Sequence, residues 1–247
     1  MNNYKLLIQY DGGRYKGWQR LGKGEATIQE KLEHVLSELT GEAVEVIGSS
    51  RTDAGVHALA QVANFKTKKN LSEAELKQYL NHYLPQDICV NEIASVPDSF
   101  HARYHAKGKT YLYQIWNREH HNPFLRKYSM HVAERLDLSR MQEAAQHLMG
   151  KHDFTAFSNA KSNKKSMVRE ISSIQMEDKD GLIQIRVTGN GFLYNMVRKL
   201  VGTLLQVGLG EREADTLPQL LASKDRGQCG TTAQACGLFL EQVEYSL

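Results

Sequence analysis

Three cysteines in 247 residues are too few to hold a fold together by disulfides. Cys89, Cys229 and Cys236 are also widely scattered, which excludes a secreted disulfide scaffold and fits a reducing cytoplasm. Cys229 and Cys236 lack paired histidines, so no zinc site is expected. No apolar run approaches the roughly 20 residues of a membrane helix. The opening Met1-Asn2-Asn3-Tyr4-Lys5 has no apolar stretch of the kind a signal peptide needs. G-x-x-x-x-G-K-[ST] is missing, which excludes a P-loop. In Gly189-Asn190-Gly191-Phe192-Leu193-Tyr194 a tyrosine replaces the third glycine of a dinucleotide fingerprint. No serine lies in a G-x-S-x-G elbow. Asp53 has no second carboxylate nearby in sequence, so a magnesium site has little support. His120-His121 and His152-Asp153 read as loop histidines. Charge of one sign is lacking too: 31 basic against 28 acidic residues leave +3. Any nucleic-acid surface must therefore be local.

What is present is a repeated order of elements. Tyr4–Tyr10 reads as a strand. Thr27-Ile28-Gln29-Glu30 is a capping box, and Ile28, Leu32, Val35, Leu36 and Leu39 form one helical face that Gly41 ends. Strands over Ala43–Ile47 and Leu59–Phe65 follow. A second box, Ser72–Glu75, opens a helix with Leu76, Tyr79, Leu80 and Tyr83 on its apolar face. Pro85 stops it, and Ile88–Val96 is another strand. The order β-α-β-β-α-β is ferredoxin-like. It recurs with a strand at Thr110–Asn117, an edge strand at Tyr128–Val132 and a helix carrying Leu138, Met141, Ala145 and Leu148 that Gly150 ends. Strands at Val168–Met176 and Leu182–Thr188 come next. A long helix over Phe192–Val207 holds Phe192, Met196, Leu200, Leu204 and Val207 inside. A helix near Asp215–Ser223 and a strand at Gly237–Val243 complete the chain. The expected fold is α+β: two ferredoxin-like (RRM-like) lobes, residues 1–100 and 101–247, whose antiparallel sheets adjoin around a central cleft.

Four stretches carry chemistry. Gly48-Ser49-Ser50-Arg51-Thr52-Asp53-Ala54-Gly55-Val56-His57-Ala58 is a loop between two strands, with small residues around Asp53 that let a substrate approach. Arg14-Tyr15-Lys16-Gly17-Trp18-Gln19-Arg20 alternates basic and aromatic residues, as an arm that touches phosphates and stacks on bases would. His101-Ala102-Arg103-Tyr104-His105-Ala106-Lys107-Gly108-Lys109-Thr110-Tyr111-Leu112-Tyr113 is the densest such mixture, suited to a phosphate backbone and a splayed-out base. Arg198 lies on an apolar helix, where an arginine needs a carboxylate. A carboxylate kept ionised by a nearby Arg51 or Arg198 could act as a nucleophile. Lysine runs at Lys66, Lys68 and Lys69 and at Lys161, Lys164 and Lys165 read as solvated loops.

Together these stretches resemble the tRNA pseudouridine synthase A family over nearly the whole chain. Arg51-Thr52-Asp53-Ala54-Gly55-Val56-His57-Ala58 looks like its catalytic signature. Tyr10-Asp11-Gly12, Gly17-Trp18-Gln19, Phe100-His101-Ala102-Arg103, Lys109-Thr110-Tyr111, His152-Asp153-Phe154, Phe192-Leu193, Met196-Val197-Arg198 and Gly237-Leu238 match its other landmarks in order. The resemblance implies an isomerase that turns uridine into pseudouridine at tRNA positions 38, 39 and 40 in the anticodon stem-loop. It implies Asp53 as nucleophile, Tyr111 stacking on the base or acting as general base, and Arg198 pairing with Asp53 and displacing the base. The expected tRNA contacts are Arg51, His57, Tyr111, Arg14, Lys16, Trp18, Arg20, Arg103, Lys107 and Lys109. It further implies a cytoplasmic homodimer with no metal, no organic cofactor and no membrane partner. Ser50 stands where the family more often has Gly, and Gly13 where it more often has Thr or Ser; neither removes a catalytic group.

Two other readings stay open from sequence. One is a noncatalytic RRM-like RNA-binding module. The other is a pseudouridine synthase acting on another RNA. Attack at C6, attack at C1′ and abstraction of a sugar proton are likewise not separated.

Overall fold

The computed structural model describes residues 1–22, 24–159 and 166–246. Lys161, Lys164 and Lys165 lie outside them. The chain is mixed α+β, with five α-helices among the described residues. It divides into two compact units, Met1–Lys107 with Phe239–Leu247, and Gly108–Leu238.

In the first unit, β1 (Asn2–Tyr10) alternates as expected: Tyr4, Leu6, Ile8 and Tyr10 are buried. It is flanked by two antiparallel neighbours, β3 (His57–Thr67) and β4 (Ile88–Val96). The short strand β2 (Val46–Gly48) pairs antiparallel with the far half of β3. The near half pairs in parallel with β10 (Leu238–Tyr245), Phe239 opposite His57 and Leu240 opposite Ala58. The outer edge of β3 is thus shared by two strands from distant parts of the sequence. Helix α1 (Ile28–Thr40) starts at Thr27, whose hydroxyl accepts from the Glu30 N–H, and ends at Gly41 in the left-handed region. Helix α2 (Glu73–Tyr83) has both halves of the Ser72–Glu75 capping box. It buries Leu76 and Leu80, but Tyr83 is exposed, so the apolar face expected from spacing is narrower.

In the second unit, β5 (Ala106–Trp116), β9 (Leu182–Gly189), β8 (Val168–Lys179) and β7 (Gly150–Asp153) pair antiparallel in that order. The edge strand expected at Tyr128–Val132 is the two-residue β6 (Met130–His131), parallel to β5. Strand β7 was not expected; its Gly150 ends no helix directly, because α3 (Leu138–Gln146) stops earlier. Helix α4 (Met196–Gly208) starts four residues later than the sequence suggests. Asn195 adopts φ 60°, a left-handed conformation that cannot continue a right-handed helix, so Tyr194 and Asn195 form a turn closed by the Met196 N–H on the Leu193 carbonyl. α4 is also buried on most of its circumference. Its far side is covered by residues 230–233: a Cβ on Gly202 would lie 1.7 Å from the Thr231 carbonyl oxygen, and the Gly230 N–H donates to Thr203 Oγ1. Helix α5 (Leu217–Ser223) follows a 3₁₀ turn.

Candidate active site

The Asp53 loop leaves β2 and returns as β3, and its backbone is held from several directions. Thr52 is buried, its hydroxyl 2.7 Å from the Tyr10 hydroxyl. The Thr52 carbonyl accepts from the Trp18 N–H, the Gly55 N–H donates to the Tyr15 carbonyl and the Val56 N–H to the Asp53 carbonyl. Two glycines make this approach feasible. A Cβ on Gly12 would lie 1.9 Å from the Val56 carbonyl oxygen, and one on Gly17, which has φ +99°, would lie 2.6 Å from that of Thr52. Asp53 itself is half-buried, while Arg51 is exposed with no partner for its guanidinium among the described residues.

Trp18 and His57 are each 1% exposed. Trp18 closes over Gly48, where a Cβ would meet the indole at 2.4 Å. His57 stacks on Phe239 at 4.8 Å, and its Nδ1 accepts from the Gly12 N–H. That bond makes Nδ1 an acceptor, so the Asp11 Oδ1 atom 3.1 Å away, which takes the Gly13 N–H, is a close neighbour of this nitrogen and not the acceptor of a proton from it. Both residues expected among the tRNA contacts are therefore buried within the unit.

The neighbouring cations differ. Arg14 pairs with Asp87 at 2.5 Å, and the Tyr15 hydroxyl donates to the same carboxylate. Burial, with help from Asp87, pushes the Tyr15 phenol up to about 12. The Arg20 guanidinium lies 2.9 Å from Glu33 Oε2, off the hydrogen-bonding direction, and Glu33 also receives the Gln29 amide and the Val46 N–H. These two arginines brace the loop against the unit. Lys16, Arg103 and Lys107 are exposed, and Lys109 is half-buried.

In the second unit, Tyr111, Leu112 and Tyr113 are all buried, so β5 is covered on both faces and is no amphipathic surface strand. The Tyr111 ring meets Phe192 edge-on at 5.2 Å. The Tyr113 hydroxyl donates to the Gln234 carbonyl at 2.8 Å, and burial drives its phenol well above the ordinary value. Arg198 is the third residue of α4. Its Nε donates to the Ala233 carbonyl at 2.6 Å and its Nη1 to Asn195 Oδ1 at 3.2 Å, while the Ala233 N–H returns a bond to the Arg198 carbonyl. A cation in the first turn adds to the positive end of the helix dipole, so this locus favours an anion.

A sequence profile described as tRNA pseudouridine synthase matches residues 6–105 and 144–246. The chain belongs to the tRNA pseudouridine synthase family. It is 61% identical over 99% of its length to all of "tRNA pseudouridine synthase A 2" of Bacillus cereus. It shares the same identity and coverage with "tRNA pseudouridine synthase A" of a Bacillus species, and 46% identity over 99% of the chain with that of Acetivibrio thermocellus, again spanning the whole relative. The reaction of this family of isomerases rearranges uridine into pseudouridine.

The family's signature residues are therefore framed by groups that spacing does not reveal. Tyr10 and Thr52 are 42 residues apart in sequence, and Phe192 meets Tyr111 from beyond four further strands. The only sequence signal for Tyr10 is that Tyr10-Asp11-Gly12 is itself a landmark. Among the described residues, no group of three or more His, Cys, Asp and Glu side chains is arranged to hold a metal ion, and no helix is long and apolar enough to cross a membrane.

Proposed function

We propose that this isomerase acts on tRNA at uridines 38, 39 and 40 of the anticodon stem-loop, with Asp53 as the nucleophile. The supporting observation is the loop itself. A half-buried carboxylate is flanked by Thr52, Gly55 and Val56, whose main chain is held by Trp18, Tyr15 and the close approach of Gly12, with the Tyr10 hydroxyl on the Thr52 side chain. Such preorganisation holds a nucleophile in a near-attack position without ordering it at the moment of reaction.

Pseudouridine formation breaks the C1′–N1 bond, turns the uracil and joins C5 to C1′, after which C5 gives up its proton. Water must be kept from the sugar while the base is detached. In this reading Tyr111 lies against the flipped base and takes part in proton transfer. Arg198, at an electropositive helix start, holds the Asp53 carboxylate and helps displace the base. Arg51, Lys16, Arg103, Lys107 and Lys109 meet the phosphates. Trp18 and His57 contribute by shaping the loop, and Arg14 and Arg20 by bracing it. The reading takes in two ferredoxin-like lobes and a cytoplasmic homodimer that needs neither metal nor organic cofactor.

Tritium release from C5-labelled tRNA tests it. Asp53→Asn is expected to lower release by roughly three orders of magnitude or more, the scale on which removing a nucleophile acts, with tRNA binding kept. Release within tenfold of the parent would exclude Asp53 as nucleophile.

A further inference from the structure

The segment between β4 and β5 combines exposure with rigidity. Ala102 is fully buried, its N–H donating to Asn64 Oδ1 and its carbonyl accepting from the Tyr245 hydroxyl at 2.6 Å. Asn64 is bound in turn to Asn3, whose amide donates to the Pro97 and Phe100 carbonyls. Within the loop, His101 Nδ1 accepts from the Arg103 and Tyr104 N–H groups, and the His105 N–H donates to the His101 carbonyl. On this frame the Tyr104 ring lies over His101, centroids 4.1 Å apart, yet remains 75% exposed. Holding an aromatic ring in water on an anchored loop leaves its apolar face without a use inside the fold.

The surroundings are cationic. Arg103 and Lys107 are exposed. Partial burial lowers the affinity of His101 for a proton, and the positive charges of Arg103 and Lys66 lower it further. A ring presented in a positive field matches an unpaired nucleobase flanked by phosphates.

We propose that Tyr104, backed by His101, is a stacking shelf for an unpaired tRNA base other than the reacting uridine, with Arg103 and Lys107 meeting the flanking phosphates. Tyr111 is assigned to the reacting base, so the shelf takes a different one. The proposal rests on the tRNA reading above.

Binding of an unmodified tRNA transcript to the 247-residue chain, measured across a salt series, tests it. Tyr104→Ala is expected to weaken affinity about tenfold at fixed salt, as loss of a base–aromatic stack does, while Tyr104→Phe stays within about twofold of the parent. The slope of log affinity against log salt should be unchanged in Tyr104→Ala and shallower by about one in Arg103→Ala. Thermal melting of each variant confirms that it is folded. Parental affinity in Tyr104→Ala overturns the shelf alone. So does an equal loss in Tyr104→Phe, or a Tyr104→Ala slope as shallow as that of Arg103→Ala. A parent chain that fails to bind tRNA overturns the tRNA reading and the shelf with it.

Discussion

In the first unit Asp53, the proposed nucleophile, sits on a loop held by a few polar bonds: Trp18 N–H on the Thr52 carbonyl, Tyr15 carbonyl on the Gly55 N–H, Tyr10 hydroxyl on the Thr52 hydroxyl. In the second unit Tyr111 and Arg198 project from a strand and a helix start that are already buried, and they are held by a ring edge and a carbonyl. The loop depends on a few polar bonds that can each be removed with little change in volume. The strand and helix depend on close packing, where volume counts most. The first arrangement lets function fail while the fold survives, and the second ties the two together.

The largest effect that sharpens this contrast comes from Tyr111→Phe, which keeps the ring and its packing on Phe192. Turnover should fall roughly a hundredfold, the lower range for a group that moves a proton, with melting temperature and tRNA affinity held. Unchanged turnover would leave the ring alone as the working part. Next come two glycines with comparable close approaches, Gly12 to Val56 and Gly202 to Thr231. Alanine at either should cost about 1–3 kcal/mol by overpacking, measured from urea midpoints. Only Gly12→Ala should lower turnover per folded molecule, because only it displaces the Asp53 loop; equal turnover losses would break the comparison. Tyr10→Phe should cost about 1 kcal/mol by leaving the buried Thr52 hydroxyl without this partner. It should lower kcat roughly fivefold, a shift of about 1 kcal/mol in the barrier, at constant KM. Thr52→Ser in the parent chain, which keeps the hydroxyl that meets Tyr10, should leave kcat near the parental value. The smallest effect concerns acid. The Lys224 ammonium, then the Thr155 hydroxyl, hold the Asp153 carboxyl below its ordinary value. This pair therefore stabilises above about pH 4, the unfolded-state carboxylate range, and the contribution fades as pH falls through the lowered folded value. Lys224→Met should flatten that part of the acid-unfolding curve; an unaltered curve would show that the pair is inert.

Periodicity read β1, β3, β4 and the hairpin of β8 and β9 well, because a half-buried strand writes its alternation into the residues, while the strand expected at Ala43–Ile47 is only Val46–Gly48. It failed where tertiary cover replaced solvent. Nothing in α4 announces that residues 230–233 close its far side, so one apolar face was expected where most of the circumference is buried. The late start of that helix depends on the left-handed Asn195, a conformation asparagine tolerates but does not require. Asp53, Tyr111 and Arg198 stand out through their motifs. The groups that hold them do not, because a hydrogen bond between Tyr10 and Thr52 has no spacing to betray it. Burial was not legible either: Trp18 stands among cations in a stretch that reads as an exposed arm, yet the fold encloses it.

The return of residues 239–247 to the first unit bears on how the polypeptide matures. The second unit is continuous and emerges whole from the ribosome before the first can be completed. The beginning of β3, immediately after the Asp53 loop, gains Phe239 and Leu240 as partners only when the last strand arrives. A nascent or prematurely terminated chain therefore carries the signature residues but not the strand that seats His57 beside Gly12. Residues translated only after the whole second unit complete the support of the loop that bears Asp53.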